Sequence, residues 1–131
     1  MKQSDDAHWK QKLTPEQYKV LREKETEPPF SGELLHNDKT GAYSCAGCGS
    51  ELFHSEHKFD SRSGWPSFYN VAQYENVRVA KDDSHGMRRM EVVCATCGGH
   101  LGHVFDDALD QPTGKRYCIN SCALEFNEHD T

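Results

Sequence analysis

Six cysteines are spread through the 131 residues in two kinds of spacing. Four of them form two CxxC turns, Cys45 with Cys48 and Cys94 with Cys97, and the surrounding segments echo one another. YSCAGCGSELF and VVCATCGGHLGHVF both run CxxCG, then Leu, then Phe. Two such turns can bring four thiolates around one tetrahedral zinc. A four-thiolate site has no open position, so this zinc would be structural and would tie two distant hairpins together. Gly49 and Gly98 can take positive φ and let the chain curl under the metal where a Cβ would crowd it. A redox dithiol or a set of plain buried cysteines is the alternative, and the repeated glycines favour the metal.

The other two thiols, Cys118 and Cys122, lie in RYCINSCALEF and belong to no CxxC pair. If this segment is a strand, Arg116, Cys118, Asn120 and Cys122 share one face and Tyr117, Ile119 and Ser121 the other. A guanidinium beside a thiol favours the thiolate, and an amide can hold an oxygen atom of whatever the thiolate attacks. In an extended strand Cys118 and Cys122 would stand about 13 Å apart, at roughly 3.3 Å per residue. A disulfide needs Cα atoms within about 7 Å, so the two should not pair, and Cys122 reads as a packing residue. The plainer reading of Cys118 is a small buried hydrophobe. GHLGHVFDD offers His100 and His103 as proton donors or acceptors for a thiol, or as ordinary surface histidines. In RSGWPSFY, Trp65, Phe68 and Tyr69 flank a proline turn and could wall an apolar group or simply fill core.

These residues need elements to hold them. Thr14 can cap a helix, Pro15 suits its first position and Gln17 completes a capping box, so TPEQYKVLREKE reads as a surface helix with Leu13 available to staple onto Tyr18. Its apolar stripe, Tyr18 and Leu21, is weak, and the helix is given no chemistry. Two prolines in TEPPFSGELL end it. Beyond them, breaks at NDKTG, HSEHKFDSRSG and KDDSHG separate short runs such as NVRVA, MRRMEVVC and RYCIN, which read as antiparallel strands. A single mostly β domain over residues 1–131 is expected. The composition, 35% hydrophobic and 27% charged with a net charge of -6, disfavours nucleic acid as a partner. MKQSDDAHWKQK lacks the apolar run of a signal peptide, and nothing approaches the roughly 18 apolar residues of a membrane span. The expectation is a cytoplasmic, membrane-free protein in a reducing compartment, where cysteines serve as ligands or reactive groups.

Taken together, EPPFSGELLHN, CAGCG, GWPSFY, SHGMRR, CATCGGHLGHVFDD and PTGKRYCINS closely resemble, in order, the motifs of the methionine-R-sulfoxide reductases, the type B family, over about residues 14–126. The resemblance implies an antiparallel β-barrel-like core of two sheets with short N-terminal helices and a structural zinc on the two CxxC pairs. It implies that Cys118 attacks the sulfur of an oxidised methionine in a peptide or protein and is left as a sulfenic acid. His103, His100, Asn120 and Arg116 match residues around that nucleophile, and Trp65 matches the tryptophan packed on the substrate methyl group, with Phe68 beside it. Thioredoxin or a small thiol would regenerate the enzyme, and a monomer is expected. The choice of the R epimer comes from the resemblance alone.

Two departures stand out. Many members carry a resolving cysteine where this chain has Ser63, so either a reductant acts directly on the sulfenic acid, the preferred reading, or Cys122 resolves it after a backbone movement. ALDQPTG is a residue longer than the common form, which leaves Asp107 without a firm role. A zinc-dependent binding module and a cysteine hydrolase remain as rivals. The first leaves Cys118 idle, and the second gives GWPSF no part.

Overall fold

The computed structural model describes residues 9, 11–61, 64–72, 74–82 and 89–128. The predicted N-terminal helix is present as α1, Pro15–Glu23, and begins at the expected cap. Thr14 Oγ1 accepts from the Gln17 N–H at 3.2 Å, and the Gln17 side chain accepts from the Thr14 N–H at 3.0 Å. That reciprocal pair satisfies two of the amide donors a helix start leaves open. The helix ends at Lys24, in left-handed conformation with φ 60°. Its buried stripe is Val20 and Leu21, with Tyr18 only partly buried, so Val20 supplies the adhesion that the sequence pattern assigned to Tyr18. Ahead of the cap the Leu13 N–H bonds the Trp9 carbonyl at 2.9 Å. Residues 9, 11 and 12 are helical as well, and residues 1–8 and 10 lie outside the described residues.

Nine strands form two antiparallel sheets among the described residues. The smaller has the order β2-β1-β9, with β1 Gly41–Cys45, β2 Glu51–His54 and β9 Leu124–Glu128. The larger has the order β3-β4-β8-β7-β6-β5. Its members are β3 Lys58–Phe59, β4 Ser67–Phe68, β5 Val77–Asp82, β6 Arg89–Cys94, β7 His100–Phe105 and β8 Arg116–Ile119. The two sheets are not closed into a barrel among the described residues, so the architecture is two packed layers.

Aromatic side chains from both sheets join those layers. Phe53 of the smaller sheet stacks on Phe68 of the larger at 4.5 Å, and Tyr43 meets the same ring edge-on at 5.1 Å. Phe68 is fully buried. This corrects the expectation that it lines a substrate site: it faces the core, where truncation to Ala would cost about 3–5 kcal/mol. Its neighbour Ser67 necessarily points the other way, onto the opposite face of the large sheet, where it pairs with Cys118.

Candidate active site and thiol cluster

Strand pairing sets four side chains in a row across that face. Ser67 lies opposite Cys118, Cys118 opposite His103, and His103 opposite Glu91. Residues directly opposed in antiparallel strands project to the same side, so the sheet itself delivers Cys118 between a hydroxyl and an imidazole. Ser67 Oγ is 3.7 Å from Cys118 Sγ. The close approach of β7 requires Gly102, because a side chain there would run into the Cys118 carbonyl.

Arg116, two residues before Cys118, shares this face as the alternation predicts. Its Nη1 donates to Cys118 Sγ at 2.7 Å, while Nε and Nη2 fork onto the two carboxylate oxygens of Asp107 at 3.0 and 2.9 Å. Below the guanidinium lies the Phe105 ring, 4.5 Å from Cζ to centroid. A forked, stacked guanidinium is fixed in plane and direction. The Arg116 hydrogen bonds hold the Asp107 carboxyl below the usual carboxylate range, and Asp107 in turn raises Arg116. Asp107 thus receives a place that the sequence did not assign: it aims Arg116.

Both histidines are buried, and each is held by a carboxylate. A carboxylate only accepts, so His103 Nε2–H donates to Asp82 at 2.7 Å and His100 Nδ1–H donates to Glu91 at 2.7 Å. Three residues apart on a regular strand, the two rings would face opposite ways. A register shift in the β6–β7 ladder pairs Val92 with Gly102 but Val93 with His100, which turns both rings to one side with centroids 5.4 Å apart. They are not equivalent. His103 borders the cleft at Cys118, whereas His100 is set behind it, with Nε2 lacking a hydrogen-bond partner among the described residues and with burial pushing its pKa down against the pull of Glu91.

The cleft measures about 330 Å³, and Arg116, Cys118, Asn120, His103, Phe105 and Trp65 line it. Trp65 reaches it from the loop before β4, its indole N–H bonded to the Glu27 carbonyl at 2.9 Å. Asn120 donates to the Leu101 carbonyl and accepts from the Glu27 N–H, both at 3.0 Å. Cys122 leaves this face, contrary to the expected alternation, because β8 stops at Ile119 and Ser121–Ala123 forms a 3₁₀ turn. The 13 Å spacing of a straight strand therefore does not apply. Burial, with Glu27 nearby, pushes the Cys122 thiol up to about 12. Ser63, at the resolving position, lies outside the described residues, as does most of SHGMRR.

The remaining four thiols meet at the ends of β1 and β6. Each CxxC turn closes identically, with the Gly49 N–H on the Cys45 carbonyl and the Gly98 N–H on the Cys94 carbonyl, both at 2.8 Å. Both glycines have positive φ, 84° and 76°. At Gly49 a Cβ would meet nothing within 4 Å, so the need is conformational and not the crowding expected from the sequence. All four Sγ atoms lie within 4.8 Å of one another. Contacts between the turns include Cys45 to Cys97 at 3.7 Å and Cys48 to Cys94 at 3.4 Å. Bonds of ~2.3 Å to a tetrahedral zinc give edges of about 3.8 Å, so the cluster can hold one metal ion with four ligands. Helix α1 locks onto it, Arg22 donating to the Cys97 carbonyl at 3.0 Å.

Residues 13–128, which include every residue of the cleft and of the thiol cluster, match the SelR domain family. The chain is 56% identical over 130 residues to the peptide methionine sulfoxide reductase MsrB of Methanosarcina mazei, covering 98% of this chain and 92% of that protein. It is 58% identical over 121 residues to the MsrB of Bradyrhizobium diazoefficiens, covering 92% and 86%. The chain belongs to the MsrB family.

For this MsrB-type domain the sequence reading missed a supporting layer: Asp82, Glu91, Ser67, Phe105 and Glu27. Asp82 falls in KDDSHG, which reads as a break, and only the β5–β6 pairing brings it beneath His103. Ser67 and Phe105 had a usable signal, since each sits inside a quoted motif, but the face each takes depends on register. Glu91 had none.

Proposed function

We propose that this protein reduces the R epimer of methionine sulfoxide, in peptides and proteins, to methionine through a Cys118 sulfenic acid. The observation that carries the proposal is the cross-strand row in which Cys118 stands between Ser67 and His103, with Arg116 Nη1 at 2.7 Å from the sulfur. A sulfoxide oxygen leaves its sulfur only when protonated, so the reaction needs a soft nucleophile, a proton source and a shaped wall for the methyl group. Cys118 attacks the sulfoxide sulfur. His103, its Nε2–H held by Asp82, keeps Nδ1 free to take the thiol proton of Cys118 and pass it to the sulfoxide oxygen. Trp65 and Phe105 furnish the apolar wall. The oxygen ends on Cys118, the substrate leaves as methionine, and two further thiols return Cys118 to the thiol with release of water and formation of a disulfide.

His100, beside His103 and set back from the cleft, is assigned to packing and orienting that ring, and Asn120 to lining the oxygen side. Thioredoxin or a small thiol supplies the reducing equivalents directly to Cys118, a reading supported by the position of Cys122 off the Cys118 face. The protein is taken to act as a cytoplasmic monomer on oxidised methionine, without nucleic acid or membrane. No helix among the described residues is long and apolar enough to cross a membrane. Zinc on Cys45, Cys48, Cys94 and Cys97 completes the reading. It would hold two hairpins together and supply no catalytic step.

The test is a chirally resolved assay of a blocked methionine sulfoxide with dithiothreitol, comparing wild type with Cys118→Ser. Consumption of the R epimer alone, by wild type alone, is the expected result. Failure of folded wild-type protein to consume either epimer would overturn the proposal.

A further inference from the structure

Glu27, the first residue of EPPFSGELLHN and one to which the sequence assigns no role, touches both sides of the cleft. The Glu27 carbonyl accepts the Trp65 indole N–H at 2.9 Å, and the Glu27 N–H donates to Asn120 Oδ1 at 3.0 Å. Its carboxylate accepts from the main-chain N–H groups of Ser121 and Cys122 at 2.9 and 3.1 Å. The carboxylate thereby caps the 3₁₀ turn that follows the Cys118 strand, where a negative charge is favoured, while the main chain of the same residue orients the indole.

The segment around Glu27 has little slack. Pro28 and Pro29 follow it, and a residue before proline is confined to extended conformations. The Phe30 N–H donates to the Gly64 carbonyl at 2.7 Å, and a Cβ on Gly64 would lie 2.7 Å from Pro29 Cβ. On the other flank, a side chain at Gly32 would collide with Ser121 and with the Glu27 carboxylate. Cys118, by contrast, is held by ladders on both sides, from β4 and β7. The nucleophile is fixed by the sheet, and the wall facing it by Glu27.

We propose that Glu27 is a positioning residue that sets the placement of the Trp65 indole relative to Cys118 and so governs how well the substrate's methyl group fits. This rests on reading the cleft as a methionine sulfoxide site. Substrate fit should depend on Glu27, and the intrinsic reactivity of Cys118 should not.

Glu27→Ala and Glu27→Gln test this through three readouts: steady-state reduction of the blocked R epimer, the rate of Cys118 alkylation by iodoacetamide, and the Trp65 indole N–H resonance, assigned by its loss in Trp65→Phe. In Glu27→Ala, KM should rise about tenfold with kcat changed by less than about threefold, the scale expected when a positioning contact is lost. Glu27→Gln should recover part of that loss. Alkylation should stay within about twofold of wild type, and the indole resonance should shift. An unchanged indole resonance and KM would overturn the proposal, as would parallel decline of kcat, KM and alkylation. Should Glu27→Ala fail to fold, Glu27→Gln carries the same three readouts. Should wild type consume no methionine sulfoxide, the functional reading fails by itself, and the indole resonance still decides whether Glu27 holds Trp65.

Discussion

Arg116 Nη1 stands 2.7 Å from Cys118 Sγ because Asp107 occupies the other two nitrogens of the guanidinium. A lysine at position 116 would keep the charge but could not fork, so its ammonium would not be aimed. Arg116→Lys is expected to lower kcat/KM by about tenfold or more, and Asp107→Asn by a comparable factor, the size of one lost charge-assisted hydrogen bond. Because the two act as a unit, the double variant should be little worse than Arg116→Lys alone. Multiplying losses in that cycle would show that Asp107 works independently of Arg116.

Asp82 accepts the His103 Nε2–H at 2.7 Å from a buried position at the end of β5. The carboxylate selects the tautomer whose Nδ1 serves the cleft, and an amide at that position can present its NH2 and reverse the choice. Asp82→Asn is therefore expected to lower kcat by about a hundredfold, within the range of general acid-base contributions. KM for the R epimer should hardly move, since Asp82 does not border the cleft. Steady-state kinetics decide it: a raised KM with normal kcat would assign Asp82 to binding instead.

The thiol cluster predicts a metal dependence of folding and not of chemistry. Cys97→Ser breaks one of four ligands and should release the ion, because a structural site is formed cooperatively with the fold. Elemental analysis should find about one zinc per chain in wild type and much less in the variant, with loss of near-ultraviolet circular dichroism. A metal-free protein that keeps its tertiary signal would contradict a structural role.

Much of this was legible in the sequence, for identifiable reasons. Local patterns were enough for the Thr14 cap, for the two CxxC turns, and for Arg116 and Cys118 on one strand face, since each depends on spacing within a few residues. Phe68 was misassigned because the motif GWPSFY does not say which of its alternating residues faces the core. Only the pairing of β4 with β8 settles that. The proximity of His100 and His103 depends on a register shift, and the Asp82–His103 pair joins β5 to β7 across β6. Such links between distant segments leave no periodicity to read. The end of β8 at Ile119 escaped notice because nothing in INSCA breaks a strand strongly.

Cys122 sits on the turn after Ile119, its thiol pushed up to about 12 by burial and by Glu27. Only a thiolate attacks a sulfenic acid or an alkylating reagent effectively. At pH 7.5, iodoacetamide should therefore modify Cys122 at least about tenfold more slowly than Cys118. Cys122→Ser should leave dithiothreitol-supported turnover within about twofold of wild type. After a single turnover without reductant, the thiol count should fall by one, at Cys118. Loss of two thiols with a peptide joining Cys118 to Cys122 would instead make Cys122 the resolving residue.

His100 links the site to acid stability. Burial lowers its pKa below the ordinary histidine value of about 6.5, so the folded protein keeps this imidazole neutral with Nδ1–H on Glu91. Above about pH 6.5 neither state holds the extra proton and His100 makes no pH-dependent contribution. As the pH falls below that value the unfolded chain takes up a proton that the fold refuses, so stability declines until the lowered folded pKa is passed. His100→Gln keeps an N–H for Glu91 and removes the titration. Urea unfolding midpoints at pH 7.5 and 5.5 should fall further for wild type than for His100→Gln, even if the variant is less stable at both. Equal declines in the two proteins would mean that the acid lability comes from other groups.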